Sequence, residues 1–213
     1  MLLAMSSRKS LQILDPSRVI LLICDVQTKF QPLIYRATSV INRCSLLNNV
    51  ANALNIPVIV TEQYPKAFGT TVPELVLSAD TKVFAKRKFS MLTDETNAHL
   101  RSLDGKDQII LCGVEAHVCV QQTAMDLLSE KSNNGLNYSY DVHIACDAVS
   151  SQRSHDRSVA LDRMKNAGAD LSTTESLIFE LMRDSEHPQF KTISQLVKSS
   201  NLLENEFASD TTL

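Results

Sequence analysis

Short apolar runs alternate along this chain with longer segments in which apolar residues recur at helical spacing. From residue 19 onward the runs are rich in Val and Ile, without the polar–apolar alternation of a half-exposed strand. Uninterrupted apolar runs are typical of strands that are covered on both faces. The pattern predicts six strands, over residues 19–24, 58–60, 83–85, 108–112, 142–146 and 169–172.

The segments between these strands predict helices. Residues 40–54 place apolar side chains at helical spacing and end at Asn55. Thr93 or Asp94 is suited to cap the helix that precedes the fourth strand. The remaining helices are predicted over residues 121–130, residues 156–167 and two segments near the C-terminus.

Two segments lack strand or helix periodicity. Residues 62–80 contain two prolines and a glycine, and they predict a long loop with one short helical turn. Loops of this length are often functional, because an irregular segment costs entropy without building core. Residues 131–140 are polar and predict an extended connection between a helix and a strand.

The order of strands and helices predicts the fold class. Their alternation favours an α/β fold, a three-layer αβα sandwich whose Rossmann-like, six-stranded parallel sheet carries helices on both faces. Right-handed crossovers bring the carboxyl ends of the strands to one edge, where open sheets bind their ligands. We expect one domain over residues 17–198, with flexible tails at 1–16 and 199–213.

Composition narrows the class of partner. The 213 residues carry a net charge of −3, which gives no electrostatic basis for binding nucleic acid or an anionic membrane. No stretch approaches the roughly 18 consecutive apolar residues of a membrane span. We therefore expect a small-molecule substrate, and no nucleic-acid or membrane partner.

Cysteine usage indicates the compartment. The five cysteines are an odd number, and Cys24, Cys112 and Cys146 lie in apolar, strand-like contexts. Such cysteines are usually reduced and buried, which predicts an intracellular, cytoplasmic protein. The basic, serine-rich N-terminus allows a mitochondrial transit signal as the alternative, although Pro16 would curtail its helix.

Three residues that could carry chemistry follow predicted strands. Cys119 is expected in the first turn of the helix after strand 108–112, where backbone N–H groups and the helix dipole favour a thiolate. Asp25 follows the first strand, as a general base would, although it could equally cap a turn. Lys86 follows the third strand in a Lys-Arg-Lys cluster that alone would predict a solvated face.

Together these three positions predict a catalytic site. All of them lie at strand ends on the same edge of the predicted sheet. A Lys between an Asp and a Cys would stabilise both anions, while the carboxylate accepts the thiol proton. The arrangement requires neither a Cys–His dyad nor a metal ion.

The sequence around these residues resembles a known family. Residues 23–30, 86–91 and 113–120 are similar to the patterns D-x-Q-x-x-F, K-x-x-[YF]-S-x-[FL] and G-[VIL]-x-x-x-x-C-V of the isochorismatase-like cysteine hydrolases. The resemblance spans residues 17–198. Details such as residues 61–65 look like the eukaryotic isochorismatase domain-containing proteins 1 and 2.

The resemblance implies a catalytic triad with assigned roles. Cys119 would attack a carbonyl carbon, Asp25 would move the protons, and Lys86 would orient the groups and offset their charge. The backbone N–H groups of Glu115 and Cys119 would form the oxyanion hole. A non-proline cis peptide bond would join Val114 to Glu115.

The resemblance also implies a substrate pocket. Phe30 matches an aromatic residue that packs against the substrate, and Gln27 either shapes the pocket or is a turn residue. Members of the family commonly form dimers or larger assemblies, so we expect a homo-oligomer whose neighbouring subunit can contribute to the pocket. The other pocket residues implied are Tyr64, Ala116 and His117.

Two departures from the family pattern narrow the chemistry. Metal-dependent nicotinamidases carry histidines after the second strand, whereas residues 61–68 contain none. The resemblance then implies no metal and no other cofactor, and it disfavours nicotinamidase activity. True isochorismatases have an Asp where this chain has Cys119, which argues against cleavage of a vinyl ether.

These inferences favour a metal-independent cysteine hydrolase that cleaves a small amide-like or other carbonyl substrate through a thioester on Cys119. The alternative is a scaffold or regulatory protein that keeps the hydrolase fold and acts by binding a partner. A redox sensor is a third hypothesis, and it needs a resolving cysteine near Cys119. It is disfavoured, because Cys112 lies back along its strand.

Overall fold

A computed structural model describes residues 13–129, 140–203 and 205–209. Its strands are β1 Val19–Cys24, β2 Val58–Gln63, β3 Lys82–Lys86, β4 Gln108–Val114, β5 Asp141–Ser150 and β6 Asp170–Ser172. Its α-helices are α1 Ala37–Ala53, α2 Pro65–Phe68, α3 Asp94–Ser102, α4 Gln121–Ser129, α5 Ser154–Ala167, α6 Thr174–Met182 and α7 Phe190–Asn201. A single π-helical turn, Ala116–Val120, precedes α4, and a 3₁₀ turn, Glu206–Ser209, follows α7.

The six strands form one parallel sheet in the order β3-β2-β1-β4-β5-β6. This order confirms the predicted Rossmann-like α/β fold. α1 packs with α6 and α7, whereas α4 packs with α5. Right-handed crossovers put the two groups on opposite faces of the sheet, which gives three layers. Because the strand order reverses between β1 and β4, a crevice forms at their carboxyl ends.

Burial accounts for the uninterrupted apolar runs. Every residue of β1, β4 and β5 is buried, whereas the edge strands β3 and β6 are partly exposed. Central strands that are covered on both faces favour near-continuous runs of apolar side chains. A polar side chain at the end of such a strand is therefore the exception that calls for a specific partner.

The helices follow the predicted pattern with shifted ends. α1 begins at Ala37, three residues before the predicted start at residue 40, and Arg36 ahead of it has a left-handed backbone with φ 57°. Thr93 caps α3, because its side chain accepts a hydrogen bond from the N–H of Thr96. Within the described ranges, the structure contains no helix with the length and apolar character needed to cross a membrane.

β5 is longer than the apolar pattern predicts and contains a bulge. It ends at Ser150, and its pairing with β4 passes from Leu111↔Ile144 to Gly113↔Val149. β4 advances by two residues over this interval and β5 by five, so β5 carries three extra residues. The bulge re-aims the end of β5 toward the crevice.

A buried arginine from α5 satisfies the backbone of this bulge. The Arg157 guanidinium donates to the carbonyl oxygens of Val149 and Cys146. These carbonyl groups lie in the irregular part of the strand, where the ladder cannot satisfy them. Arg157 thus fixes the path of the chain up to Ser151, which contacts the crevice.

The N-terminal boundary differs from the predicted one. Leu14 is fully buried, and its N–H donates to the Glu180 side chain. Residues 13–16, which the sequence assigns to a flexible tail, therefore pack on the domain. The rest of that predicted tail, residues 1–12, lies outside the described residues, as does most of the predicted connection at 131–140.

The C-terminal boundary differs in a similar way. α7 continues to Asn201, so the residues after 198 begin as helix. Phe207 is buried, with the guanidinium groups of Arg157 and Arg36 over its ring at 4.3 and 5.1 Å from the centroid. The Glu206 side chain accepts a hydrogen bond from Ser39 on α1. Part of the predicted C-terminal tail is therefore anchored to the domain.

Candidate active site

The three residues predicted to carry chemistry meet at the crevice between β1 and β4. Asp25 directly follows β1, Lys86 is the last residue of β3, and Cys119 lies in the π-helical turn after β4. β2 lies between β3 and β1 in the sheet. The long Lys86 side chain therefore reaches across β2 to the carboxylate of Asp25.

Asp25 and Lys86 form a buried ion pair. Lys86 Nζ lies 2.6 Å from Asp25 Oδ2, and the two side chains are 0% and 1% exposed. Asp25 has a left-handed backbone with φ 53°, which is uncommon for a residue other than glycine. Such a conformation persists only where the surroundings enforce it, and it is concentrated at functional sites.

The Lys86 ammonium group is held as a cation. Burial by itself lowers its pKa, but the surrounding acidic groups, the Asp25 carboxylate among them, outweigh burial, so the pKa of Lys86 lies above its usual value. Its three hydrogens share four acceptors, which hold the group in place. The acceptors are Asp25 Oδ2 at 2.6 Å, Gln63 Oε1 at 2.8 Å, the Phe89 carbonyl at 2.8 Å and the Lys88 carbonyl at 3.2 Å.

Two residues of β2 complete the ion pair and were missed by the sequence analysis. Thr61 Oγ1 donates a hydrogen bond of 2.8 Å to Asp25 Oδ1, and Gln63 Oε1 accepts one from Lys86. Thr61 and Gln63 alternate along the strand, so they project from the same face. The available signal was the run of polar residues from Thr61 to Gln63, which ends a strand that starts with three apolar residues.

Gln27 braces the loop beside the ion pair. Its Oε1 accepts from the Gln63 N–H at 2.7 Å, and its Nε2 donates to the carbonyl oxygens of Gln63 at 3.1 Å and Gly69 at 2.6 Å. Both amide hydrogens are thereby engaged by backbone. Gln27 thus joins the segment after β1 to the end of β2, and its role toward a substrate stays a prediction.

The loop that carries Cys119 begins with a close approach of two backbone segments. Gly113 has φ +130°, and a Cβ at this position would lie 2.2 Å from the carbonyl oxygen of Cys24. Only glycine fits here, because both the conformation and the space exclude a side chain. β4 therefore presses directly on the end of β1 as it enters the loop.

The cis peptide bond expected between Val114 and Glu115 is wrong for this structure. The described residues contain no cis peptide bond. The chain instead reverses direction with a left-handed Glu115, at φ 58°. The positive φ of Gly113 and Glu115 supplies the change of direction that the cis bond was expected to give.

Cys119 lies within the π-helical turn, not in the first turn of α4 as predicted. The Val120 N–H bonds to the carbonyl oxygen of Glu115, five residues earlier. The Thr123 hydroxyl donates to the Cys119 carbonyl at 2.7 Å and accepts from the Met91 N–H at 2.9 Å. π-helical turns are rare and are often found at functional sites. This one ties Cys119 to the segment after β3.

Cys24 borders the site, although it was expected only to point into the core. It is fully buried, and its Sγ lies 3.6 Å from Asp25 Oδ2. Burial, and then its interaction with Cys119, raise the pKa of Cys24 well above its usual value, so this group remains a thiol.

His117 joins the loop that carries Cys119 to the end of β5. Its Nδ1 lies 2.9 Å from Ser151 Oγ and 3.4 Å from Glu115 Oε2. Gln152 Nε2 donates to the other oxygen of the Glu115 carboxylate at 2.8 Å. Since both partners of His117 approach the same ring nitrogen, these residues do not form a Ser–His–Glu relay, which uses both nitrogens.

The other residues of the predicted pocket have distinct surroundings. Phe30 stacks on Phe68 of α2, with ring centroids 4.7 Å apart. Tyr64 has φ 34° and carries the Arg87 guanidinium over its ring, 4.1 Å from the centroid. Ala116 is fully buried at the start of the π-helical turn. Their roles toward a substrate stay predictions.

The ionisable groups at the site are two thiols, a carboxylate and an ammonium. In the described parts of the chain, no three His, Cys, Asp or Glu side chains are grouped closely enough to hold a metal ion. The Lys86 ammonium occupies the position beside Asp25 Oδ2 that a cation would take. The arrangement is suited to moving a proton between a thiol and a carboxylate that a fixed cation holds in place.

Comparisons with known proteins show which family this chain is similar to. A family model described as the isochorismatase domain matches residues 19–176. The chain is 43% identical to isochorismatase domain-containing protein 2 of Danio rerio over 84% of this chain and 86% of the relative. It is 41% identical to the secreted isochorismatase effector Isc1 of Phytophthora sojae over 95% of each. The solved structure of MAR1 ribonuclease from Caenorhabditis elegans matches with a TM-score of 0.82 and 39% identity, over 95% of this chain and 100% of that one.

Proposed function

The chain belongs to the isochorismatase family of hydrolases, and we propose that it is a cysteine hydrolase that cleaves a small amide or another carbonyl compound without a metal. Cys119 is the nucleophile, Asp25 carries protons and Lys86 is a fixed cation. The observation that carries the proposal is the ion pair of 2.6 Å, buried beside Cys119. A buried ion pair is costly to form, and here it supplies the base and the cation that a thiol nucleophile needs.

In the first half of the reaction an acyl group passes to the enzyme. The Cys119 thiol gives its proton to Asp25, and the sulfur attacks the carbonyl carbon of the substrate. The carbonyl electrons move to oxygen, and the backbone N–H groups of Glu115 and Cys119 stabilise the oxyanion. When the oxyanion collapses, the bond to the leaving amine breaks. Asp25 returns its proton to that amine, which leaves a thioester on Cys119.

In the second half water releases the acyl group. Asp25, now unprotonated, accepts a proton from the water as its oxygen attacks the thioester. The second oxyanion collapses with loss of the Cys119 sulfur, which takes the proton back. The product is a carboxylic acid, and the site returns to its starting state.

Lys86 does not exchange a proton in this scheme. Its raised pKa and its four acceptors favour a permanent cation. A fixed cation beside Asp25 holds the carboxylate oxygens in one orientation, and it offsets the negative charge that passes between Asp25 and Cys119. Thr61 and Gln63 support this role, because each holds one member of the ion pair.

A substrate screen with trapping of the acyl-enzyme tests the proposal. Small amides and acyl compounds are incubated with the wild type and with Cys119→Ala, and the intact protein is weighed by mass spectrometry. We expect the wild type to hydrolyse at least one compound and to carry its acyl group on Cys119, and the variant to do neither. Cys146→Ala, which removes a cysteine remote from the ion pair, is the matched control. Full hydrolysis by Cys119→Ala would contradict the mechanism.

The names of two relatives define further arms of the screen. One relative is named an isochorismatase effector and one neighbour a ribonuclease, so isochorismate and RNA are included. If the wild type turns over either compound, the thioester mechanism predicts that Cys119→Ala does not. Turnover that persists in this variant would assign the site a chemistry other than thiol attack.

Thiol reactivity separates catalysis from the alternative role as a scaffold. An activated Cys119 should react with iodoacetamide near neutral pH while the four other cysteines stay unmodified, because only thiolates are alkylated at a useful rate. Uniformly slow labelling of all five cysteines would favour the scaffold. Peptide mapping identifies the labelled residue.

The homo-oligomeric state and the cytoplasmic localisation stay predictions. Light scattering coupled to gel filtration measures the assembly state directly. Because one relative is named a secreted effector, cell fractionation should include the culture medium. Recovery of the protein mainly from the medium would contradict the predicted compartment.

A further inference from the structure

The 3₁₀ turn Glu206–Ser209 lies within residues 199–213, which the sequence predicts as a flexible tail. It carries Phe207, whose side chain is buried against the domain. An aromatic ring buries a large apolar area in a defined geometry, so it fixes the segment that carries it. The groups that contact this ring therefore indicate what the turn holds in place.

The Phe207 ring contacts two guanidinium groups and a second aromatic ring. Arg157 lies over it at 4.3 Å from the centroid, and Arg36 lies over it at 5.1 Å. The Tyr35 ring meets it edge-on, with the ring centroids 6.3 Å apart. A cation over an aromatic ring is attracted by the ring quadrupole, and edge-on pairs are a favoured geometry. The aromatic character of Phe207 contributes to these contacts as well as its size.

Arg157 connects the ring to the end of β5. Its guanidinium donates to the carbonyl oxygens of Val149 and Cys146 in the bulge, and Ser150 and Ser151 follow directly. The same group thus supports the bulge on one side and packs on Phe207 on the other. A change at the ring alters the packing of the group that fixes the path of the chain to Ser151.

Tyr35 connects the ring to the same strand end through its backbone. Its N–H donates to the carbonyl oxygen of Ser151 at 2.9 Å, and its carbonyl oxygen accepts from the Ser150 hydroxyl at 2.7 Å. Arg36, the next residue, has a left-handed backbone. Such a conformation persists only where the surroundings enforce it, and the packing on Phe207 is part of those surroundings.

Ser151 carries this support to the loop that holds Cys119. Its Oγ lies 2.9 Å from His117 Nδ1, and it accepts a hydrogen bond from the His117 N–H at 3.4 Å. His117 and Cys119 lie in the same π-helical turn, so the position of one constrains the other. The routes through Arg157 and Tyr35 therefore converge on the turn that contains the proposed nucleophile.

We propose that Phe207 is a positioning residue, whose ring keeps the end of β5 and the π-helical turn in the arrangement that lets Cys119 transfer its proton and react. The proposal rests on the proposed function only in taking Cys119 as the nucleophile. It gives the C-terminal 3₁₀ turn a role in the site, although the turn does not touch the reacting atoms.

The 3₁₀ turn is anchored by Glu206 and Phe207 beside an open groove. The Glu206 N–H donates to Ser39 Oγ at 3.1 Å, and the Ser39 hydroxyl donates to the Glu206 carboxylate at 3.0 Å. The groove has a volume of about 610 Å³, and Phe207, Asn205 and Leu203 are among its lining residues. Because the ring borders open space, its replacement should release the turn without leaving a closed cavity in the core. We therefore expect variants at this position to fold.

Alkylation of Cys119 by iodoacetamide tests the proposal in the full-length protein, with peptide mapping of the product. At pH 7 we expect Cys119 of Phe207→Leu, which lacks the aromatic ring, to react about tenfold more slowly than in the wild type, because small misplacements of reacting groups have large effects on rate. Phe207→Tyr retains the ring and should react at nearly the wild-type rate. Leu202→Ala is the matched control, since Leu202 precedes the turn and is 88% exposed, and it should leave the rate unchanged.

The pH dependence separates positioning from a change in access. The difference between Phe207→Leu and the wild type should narrow toward pH 9, because hydroxide then replaces Asp25 as the base that removes the thiol proton. A difference that stays constant from pH 6 to pH 9 would assign the effect to access of the reagent and overturn the proposal. Wild-type rates in Phe207→Leu would overturn it as well.

Amide hydrogen exchange gives a readout that needs neither a substrate nor a reactive thiol. In Phe207→Leu the peptides that cover residues 113–120 and 149–151 should exchange several-fold faster, while the peptide that covers residues 19–24 should exchange as in the wild type. Equal acceleration in all three peptides would reduce the ring to a contribution to global stability. Unchanged exchange at residues 113–120 would also count against the proposal.

A milder variant decides the question if Phe207→Leu does not fold. Ser39→Ala loosens the Glu206 anchor and leaves the ring in place, so it should give changes of the same sign and smaller size in both readouts. Its agreement with the wild type in both would then overturn the proposal. Failure of the hydrolase mechanism would be seen separately, because Cys119→Ala tests that mechanism and the exchange readout does not involve Cys119 chemistry.

Discussion

Lys86 Nζ donates a hydrogen bond of 2.6 Å to Asp25 Oδ2, although 61 residues separate the two in the chain. Both side chains are almost fully removed from solvent, and removing an ion from water costs several kcal/mol even after relaxation. The pair is stable because Thr61 bonds the second oxygen of Asp25 and Gln63 bonds the ammonium. Removal of one charge should therefore expose the full cost of burying the other.

Lys86→Met should lower the free energy of unfolding by about 3–5 kcal/mol, the range for breaking a buried ion pair from one side. The substitution leaves the Asp25 carboxylate buried without its cation. Urea denaturation measures the change. Lys82→Met on the same strand is the matched control, because Lys82 is exposed and its loss should cost less than about 0.5 kcal/mol. Equal stability of the two variants would contradict a buried ion pair.

Thr61→Val should lower kcat by about tenfold to a hundredfold, because a hydrogen bond to a charged group contributes about 1.5–3 kcal/mol. The valine has nearly the same shape and leaves Asp25 Oδ1 without its donor. Thr61→Ser retains the hydroxyl and should recover most of the activity. The measurement is kcat and KM on a substrate found in the screen, with thermal unfolding of both variants. A similar loss in the serine variant would indicate a packing role and not the positioning of Asp25.

The strand ends explain how much of the site the sequence predicted. Asp25, Lys86 and Cys119 each follow an apolar run, and parallel strands with right-handed crossovers must present these ends on one edge. The predicted topology was therefore sufficient to group three residues that are far apart in the chain. The six strands were predicted for the same reason, since period and length are properties of the local sequence.

Features that depend on pairing between strands were not predicted. Thr61 and Gln63 become partners of the ion pair only when β2 lies between β1 and β3, an order that local pattern does not specify. The bulge in β5 adds residues that remain buried, so hydropathy does not reveal it. Cys24 looked like a core residue because it ends an apolar run, and hydropathy does not reveal the contact of its sulfur with the Asp25 carboxylate.

Gly113→Ala should destabilise the protein by more than about 4 kcal/mol, a range reached only when a core contact or the backbone is disrupted. The added Cβ would lie 2.2 Å from the Cys24 carbonyl oxygen at a backbone φ of +130°, and neither backbone can move without breaking the ladder. Gly105→Ala is the control, since Gly105 has φ +72° but no atom within 4 Å of the added Cβ. It should cost only about 1–2 kcal/mol for the left-handed conformation. Thermal unfolding of the two variants compares the costs, and equal midpoints would mean that β4 does not press on β1.

Raising the pH above 9 should destabilise the protein partly through Cys146. Burial raises the pKa of this thiol from the usual 9.0 to about 11. Between these pH values the unfolded chain has released the Cys146 proton and the folded chain retains it. The folded state then binds more protons, so the free energy of unfolding falls as the pH rises.

The contribution of Cys146 can be isolated by substitution. Two pKa units correspond to about 3 kcal/mol. Between pH 9 and pH 11 the free energy of unfolding of Cys146→Ala should therefore fall by about 3 kcal/mol less than that of the wild type. Lys86 and the other buried thiols titrate in both proteins, so their effects cancel in the difference. The substitution lowers stability at every pH because it removes a buried sulfur. The readout is therefore the slope of the free energy of unfolding against pH. Parallel curves from urea denaturation would show that the Cys146 thiol ionises in the folded protein as readily as in the unfolded chain.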